Sequence, residues 1–276
     1  MVTATAAAVP VALSVLTPRN RGRDVAICVG QMWAYLATYK MPNDDPEALE
    51  RRVMIDYPIS FDRRVGLGEL PTVRLQRMLG VPGQVRPLEQ VLVWAHWVWF
   101  AFPHGTAAYI LARHPKRFPR AALLTYSVFD LGLIGYWALP TAPPWYAALE
   151  GRLHHDDGPK LRRMMVEHGQ RVWGERWDSL YGVLGGNPLA AMPSLHFATS
   201  LMAAHLLSEL GPTEAAIGWT YVVVLGFALV YLGEHYVIDL LAGAALTEGI
   251  RAAADPLAPL FAAISDKLAE LEGRAR

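Results

Sequence analysis

Two histidines and one aspartate have the residue types and spacing that nucleophilic and acid–base chemistry requires. His235 and Asp239 lie four residues apart, so on a helix they would share one face and their side chains would meet. A carboxylate bound to one imidazole nitrogen fixes the tautomer and leaves the other nitrogen more basic. His196 follows Pro193 and Ser194 at the start of an apolar stretch, and Pro193 in the first helical turn would leave N–H groups free to attract an anion. Two histidines beside an anion site suit phosphoryl transfer, in which one attacks phosphorus and the other protonates the leaving oxygen.

The composition indicates which solvent surrounds these residues. Of 276 residues, 53% are hydrophobic and only 18% are charged, whereas soluble proteins carry about 25% charged residues. Lys+Arg and Asp+Glu balance at 25 each, which excludes a globally basic nucleic-acid binder, and no nucleic-acid motif is present. The single Cys28 excludes a disulfide framework and a multi-cysteine metal site. The sequence therefore predicts an integral membrane protein, and it indicates no particular oligomeric state.

Stretches with few or no charged residues predict an all-α bundle of six transmembrane helices, since about 20 apolar residues cross a bilayer. The predicted spans are 25–39, 91–112, 121–139, 195–208, 215–233 and 236–253. Long loops at 40–90 and 140–194 separate them. The first loop is rich in proline and carries short amphipathic pieces such as 63–79, which predicts interfacial helices.

Charge in the short turns predicts the orientation of the bundle. The turn at 113–120 contains basic residues and no acid, so the positive-inside rule places it, with both termini, in the cytoplasm. The start of the fourth span and the junction of the fifth and sixth then share the extracytoplasmic face of the cell membrane. The predicted organisation is a tail at 1–23, a membrane domain at 24–254 and a cytoplasmic tail at 255–276.

Three segments carry a resemblance to a known family. They are LPTAPPWY (139–146), AMPSLHFA (191–198) and YLGEHYVIDLLAG (231–243). In these segments the chain resembles the type 2 phosphatidic acid phosphatase (PAP2) superfamily, and more closely its Aur1-like inositol phosphotransferase branch, which includes the fungal inositol phosphorylceramide synthases. The resemblance covers about residues 90–250 and implies a membrane-embedded six-helix bundle of PAP2 type. It also implies that His235 is the nucleophile, Asp239 its orienting partner and His196 the acid, with no metal and no other cofactor.

Two departures from the superfamily pattern remove phosphate-binding cations. A Lys followed by Arg-Pro is absent, with 139–146 in its place, and Ala228-Leu229 replaces a Ser-Arg pair. The basic residues of loop 140–194 are the expected replacements, although surface solvation is the simpler role for any one of them. They are Arg152, Lys160, Arg162, Arg163, Arg171 and Arg176. Ser194, Pro143 and Trp145 complete the predicted phosphate- and substrate-binding set.

The predicted function is a membrane phosphotransferase that works through a phosphohistidine. It would move a phosphate-linked head group, such as inositol phosphate or sugar phosphate, from a phospholipid or a polyprenyl or inositol lipid to a hydroxyl acceptor. The alternative is a lipid-phosphate phosphatase with water as acceptor. Three further classes stay open: a serine protease using Ser194 and His235, a metal enzyme using both histidines and Asp239, and a transporter with a His–Asp proton relay. Structural or interfacial roles are expected for His96, His104 and His205, while Asp130 is expected inside the bundle without an assigned role.

Overall fold

A computed structural model of the chain describes residues 2–40, 45–81, 83–153, 161–177, 179–180 and 187–275. The described chain is built from helices, as the all-α prediction requires. In chain order they are α1 (Val2–Leu16), α2 (Arg21–Lys40), α3 (Pro46–Glu50), α4 (Asp56–Val65), α5 (Pro71–Leu79), α6 (Pro87–Val98), α7 (Phe102–Arg113), α8 (Phe118–Ala138), α9 (Pro144–Leu149), α10 (Met164–Trp173), α11 (Leu195–Ser208), α12 (Pro212–Tyr231), α13 (Val237–Ala254) and α14 (Ala258–Ala275).

Five of the predicted spans correspond to single helices, namely α2, α8, α11, α12 and α13. The prediction of one helix over 91–112 is wrong, because the chain breaks into α6 and α7 between Val98 and Phe102. Pro103 explains the break, since it lacks an N–H and its ring clashes with the preceding helical turn. The amphipathic piece 63–79 is likewise divided between α4 and α5.

Among the described residues, two helices combine the length and apolar composition of a membrane span, α8 and α12. These two agree with the membrane character that the composition predicts. The six-span bundle and its orientation stay predictions.

Both ends of the chain are helical where the sequence predicts tails. α1 packs against α2 and α14. Near the end of α14, Glu272 accepts hydrogen bonds from Arg19 at 2.9 Å and from Arg23 at 2.7 Å. The described parts of these two segments, 2–23 and 255–275, therefore associate with each other through this ion-paired contact.

The helix α11 is the centre of the fold. It packs against α7, α8, α12 and α13, and residues on all its faces are buried, which is typical of a helix surrounded by other helices. Its hydroxyl groups bond to its own backbone, as Thr199 does to Leu195 O at 2.7 Å. Thr247 Oγ1 on α13 donates a hydrogen bond to Ala198 O at 2.9 Å.

Asp130 on α8 accepts two hydrogen bonds from Gln31 on α2, which gives it a structural partner.

The corner that leads into α11 fits between neighbouring helices because two glycines lack side chains. A Cβ added to Gly243 on α13 would lie 2.7 Å from Ser194 O, and one added to Gly135 on α8 would lie 2.4 Å from Pro193 Cδ. Contacts this short require the backbone or ring to move. These glycines therefore set how closely α8 and α13 approach the start of α11.

The segment 139–146 joins the two long loops through backbone hydrogen bonds. On one side Met54 N donates to Pro140 O at 2.8 Å, and Ala142 N donates to Met54 O at 3.1 Å. On the other side Thr141 N donates to Leu189 O at 2.9 Å. The short helices α3 to α5 are thereby held against the same end of the bundle at which α11 begins.

We predict that Gly243→Ala destabilises the protein and lowers its activity. The added methyl group meets the backbone oxygen of Ser194, and overpacking of this kind costs about 1–3 kcal/mol. Gly249→Ala on the same helix is the matched control, because a Cβ there has nothing within 4 Å and alanine favours helix by about 1 kcal/mol. Thermal unfolding in detergent measures both variants. Equal melting temperatures for the two would contradict the close approach of α13 to Ser194.

Candidate active site

The structure brings together the three residues that the sequence singles out. His235 Nδ1 lies 3.2 Å from Asp239 Oδ2, and His235 Nε2 lies 3.3 Å from His196 Nδ1. Asp239 is fully buried and His235 is 4% exposed. The side chains thus form a continuous series from carboxylate to imidazole to imidazole, in surroundings that exclude most water.

The spacing predicts that His235 and Asp239 contact each other on one face of a helix. The contact is present, but the two residues do not share a helix. α13 begins at Val237 with Tyr236 as its N-cap residue, so His235 lies before the helix. Asp239 is in the first turn, and its Oδ2 accepts a hydrogen bond from Tyr236 N at 2.9 Å while it also contacts the His235 ring. A carboxylate at this position is stabilised by the helix N-terminus. The predicted pair is therefore present, and Asp239 reaches the His235 ring because its carboxylate caps the N-terminus of α13.

The turn between α12 and α13 fixes the backbone of His235. The N–H groups of Glu234 and His235 both donate to Leu229 O at 3.1 Å. Gly233 has a φ of 79°, a left-handed conformation that glycine adopts without strain. Its carbonyl accepts a hydrogen bond from Trp145 N at 3.1 Å. The end of α12, the nucleophile candidate and the start of α9 are therefore joined.

His196 lies in the first turn of α11, and Ser194 begins that helix as its N-cap residue. Ser194 Oγ accepts a hydrogen bond from Phe197 N at 3.3 Å, and the residue is fully buried. Serine stabilises a helix N-terminus in this way, so the structure assigns the hydroxyl of this predicted phosphate ligand to capping. Pro193 precedes the N-cap residue and does not lie in the first turn, which corrects its predicted position.

Sequence reasoning missed a third histidine in the cluster. His96 on α6 is 6% exposed, and its ring centroid lies 4.6 Å from that of His196. The ring centroid of Trp99 lies 4.0 Å from that of His196. Trp99 Nε1 donates a hydrogen bond to Thr199 Oγ1 at 2.8 Å. A lone histidine in an apolar stretch gives no signal of this arrangement. Within the described ranges, no group of three histidine, cysteine or carboxylate side chains is arranged to hold a metal ion.

The other two histidines have the structural surroundings expected of them. The His104 ring stacks on Phe129 with a centroid distance of 5.5 Å. His205, at the far end of α11, contacts Glu248 at 2.6 Å. Neither histidine belongs to the cluster around His196.

Asp62 is a second residue that the sequence did not indicate. Its carboxylate accepts hydrogen bonds from Val237 N at 2.8 Å and Ile238 N at 3.2 Å, so a residue of α4 caps the helix that carries Asp239. Asp62 is fully buried. Burial raises its pKa to about 6, although the two N–H groups oppose the rise. The loop helices thus contact the site directly.

The predicted phosphate-binding cations fall into different environments. All three guanidinium nitrogens of Arg162 have partners, with Nη1 on Val81 O at 2.7 Å, Nη2 on Gln84 O at 3.0 Å and Nε on Glu167 at 3.2 Å. Arg162 therefore connects Val81 and Gln84 to α10, and its predicted role as a phosphate ligand stays a prediction. Arg171 is exposed on α10. Lys160 lies outside the described residues, and Arg152 pairs with Asp56 at the surface.

Arg163 is a predicted cation that contacts residues of the site. Its Cζ lies 4.1 Å from the ring centroid of Trp145, a cation–π contact. It also interacts electrostatically with Glu234, the residue before His235. Burial raises the pKa of Glu234 to about 7, while Arg163 and His235 oppose that rise.

A cavity of about 1100 Å³ connects these groups. Its lining includes all three histidines of the cluster and Glu234, together with the predicted substrate-binding residues Pro143 and Trp145. Most other lining residues are apolar or aromatic and come from α2, α6, α7 and α8. A large apolar space with a few polar groups is typical of a site for a mainly hydrophobic ligand.

The family model of the PAP2 superfamily matches residues 59–253, so the chain belongs to this superfamily. It is similar to an inositol phosphorylceramide synthase of Candida albicans, 29% identical over 166 residues, covering 57% of this chain and 34% of the relative. It is also similar to a phosphoinositol dihydroceramide synthase of Bacteroides thetaiotaomicron, 28% identical over 158 residues, covering 53% of this chain and 48% of the relative.

A third relative is the inositol phosphorylceramide synthase catalytic subunit of Schizosaccharomyces pombe, 28% identical over 162 residues, covering 54% of this chain and 37% of the relative. The chain thus spans about a third to a half of the length of these relatives. No solved structure matches it significantly. The resemblance to the Aur1-like branch is confirmed.

We predict that Asp62→Ala lowers kcat while Asp56→Ala on the same helix leaves it unchanged. Without the Asp62 carboxylate, two half-buried N–H groups lose their acceptor and the first turn of α13 is free to shift. A displacement of about 1 Å in a catalytic group can cost about 10²-fold in rate. Asp56 is a matched control because its carboxylate is exposed and pairs with Arg152 at the surface. Equal activity of the two variants in a labelled-lipid assay would show that the cap does not position Asp239.

We further predict a pH-dependent difference in stability between Asp62→Asn and the original protein. The pKa of Asp62 is raised from 3.8 to about 6 in the folded state, so its contribution to stability is full below about pH 4 and is lost as pH rises through about 6. Asparagine does not ionise, so the variant gains on the original protein across this range. Melting temperatures measured in detergent at several pH values test this. A constant difference between the two proteins would contradict it.

Proposed function

We propose that the chain transfers a phosphate-linked head group from a phospholipid to a hydroxyl acceptor, with a covalent phosphohistidine as intermediate. The observation that carries the proposal is the series Asp239–His235–His196, with contacts of 3.2 Å and 3.3 Å, in the wall of a large apolar cavity. Asp239 binds Nδ1 of His235 and leaves Nε2 as the nucleophile. His196 faces that atom and supplies the proton.

The reaction proceeds in two steps with the same residues. In the first, His235 Nε2 forms a bond to phosphorus and the bond from phosphorus to the lipid oxygen breaks, while His196 gives its proton to the departing alcohol. In the second, His196 takes the proton of the acceptor hydroxyl, whose oxygen attacks phosphorus as the bond to His235 breaks. Each proton transfer of this kind contributes about 10²–10⁴-fold to the rate.

The substrates are proposed from the cavity and from the relatives. The apolar lining suits the hydrocarbon chains of a lipid, because burial of such chains is favourable. The names of the relatives describe inositol phosphorylceramide synthases. We therefore propose an inositol phosphate head group, carried by a phospholipid, and a lipid alcohol of the ceramide type as acceptor. Transfer of the head group to water is the alternative outcome of the same first step.

The proposed site faces the extracytoplasmic side of the membrane. Arg120, at the start of α8, pairs with Glu209 at 2.8 Å, just after the end of α11, so the basic turn 113–120 lies at the opposite end of α11 from His196. The 14 residues of α11 correspond to about 20 Å of helix. A cytoplasmic position for the basic turn therefore supports the outer face for the histidines.

We predict that His235→Ala abolishes transfer and that His196→Ala lowers it by about 10²–10⁴-fold, both without loss of folding. His205→Ala is the matched control, because His205 lies on the same helix as His196 but contacts Glu248 at the far end. The assay incubates the enzyme with phosphatidylinositol labelled in the phosphate, with and without ceramide, and traps an acid-labile phosphoenzyme. Full activity of His235→Ala would refute the phosphohistidine. Release of phosphate or inositol phosphate alone, with no lipid product, would favour hydrolysis over transfer.

A further inference from the structure

Glu234 lies next to the space that a group attached to phosphorus on His235 would occupy. It is the preceding residue in the chain, and the backbone N–H groups of both residues are fixed on Leu229 O at 3.1 Å. Its side chain lines the same cavity as His196 and His235 and is neither fully buried nor exposed. It accepts no hydrogen bond from the residues that the structure describes. A carboxylate with several acceptor sites therefore faces the substrate space.

The residues around Glu234 have side chains of the kinds that bind a hydroxylated ring. Arg163 interacts with Glu234 electrostatically and stacks on Trp145 at 4.1 Å, and Trp145 also lines the cavity. A carboxylate accepts hydrogen bonds from hydroxyl groups, while an aromatic residue provides apolar area for the C–H face of a ring. His96 Nδ1, buried in the same cavity wall, also has no hydrogen-bond partner among the described residues, and buried polar atoms usually have one.

Charge distinguishes between two classes of donor at this position. Above about pH 7, where the Glu234 carboxylate is ionised, it repels a phosphomonoester, which carries about two negative charges, more than a phosphodiester, which carries one. Hydrogen bonds from hydroxyl groups of the head group would offset the remaining repulsion, since bonds to a charged acceptor are the stronger ones. Glu234 therefore disfavours a lipid phosphate such as phosphatidic acid and favours a phosphodiester with a polyhydroxylated head group.

We propose that Glu234 binds hydroxyl groups of the polyol head group of the donor lipid and so determines donor specificity. This inference rests on the proposed function, because it places the head group on phosphorus at His235. The head group stays attached to phosphorus in both steps, so Glu234 would hold it throughout the transfer. The positive charge of Arg163, which stacks on Trp145, would partly neutralise the Glu234 carboxylate while the carboxylate binds the head group.

The test compares two phosphodiester lipids that differ in hydroxyl groups, phosphatidylinositol and phosphatidylmethanol. Both are presented in vesicles of phosphatidylcholine, and kcat/KM for labelling of the enzyme is measured. In the original protein we expect phosphatidylinositol to react about 10- to 100-fold faster, the range that a few hydrogen bonds to a charged group supply. In Glu234→Gln and Glu234→Ala this advantage should shrink towards one, because labelling by phosphatidylinositol loses its hydrogen bonds while labelling by phosphatidylmethanol is retained or rises as the charge repulsion is removed. Glu248→Gln, near the far end of α11 beside His205, is the matched control.

Each other outcome has a distinct meaning. If neither lipid labels the original protein, the proposed function fails. If both lipids label it and the Glu234 variants lose labelling by both equally, Glu234 has a structural or general catalytic role and the specificity proposal is overturned. An unchanged preference for phosphatidylinositol in the variants would overturn it as well. Labelling by phosphatidylmethanol also serves as the folding control within the same assay, because it requires an intact His235.

Discussion

The N-termini of α11 and α13 meet through a backbone hydrogen bond from Ser194 N to Asp239 O at 2.9 Å. His196 follows Ser194 by two residues and His235 precedes Asp239 by four, so this bond sets the separation of the two imidazole rings. Ser194 and Asp239 are fully buried, where a backbone N–H without a partner would be costly. The absence of a side chain at Gly243 leaves room for the contact. Neither helix end can therefore shift without moving the other.

The loop helices support this junction from outside the bundle. Asp62 on α4 binds the first N–H groups of α13, and Met54 binds the segment 139–146, which in turn binds the segment before α11. The Pro-rich loop 40–90 is thus part of the structure that positions the histidines. A site needs supporting contacts of this kind to hold its side chains in place.

The sequence predicted the core of the site because its three residues stand next to helix ends, where apolar stretches begin and end. It did not predict Asp62, whose partner Val237 is 175 residues away, since no local pattern marks such a contact. His96 was missed because one histidine in an apolar stretch is the same whether it faces lipid or another imidazole. Arg162 was assigned to phosphate on charge alone, because no local pattern marks the two loop carbonyls and the Glu167 carboxylate that accept hydrogen bonds from its nitrogens. Hydropathy placed the helices of five predicted spans. It missed the break before Pro103, because uncharged residues continue through it, and it did not indicate the helices α1 and α14 in the predicted tails.

The 3.3 Å separation of His196 Nδ1 and His235 Nε2 allows only one proton between the two rings. In the tautomer that the proposed function requires, Nδ1 of His235 donates to Asp239, so Nε2 of His235 accepts this proton and Nδ1 of His196 donates it. The lone pair of His235 that would attack and the proton of His196 that would be donated are therefore both used in this one hydrogen bond while the rings are in contact. A phosphate that separates the rings makes both available at once. In the proposed reaction, a substrate must therefore part the two rings before His235 can attack and His196 can give up its proton.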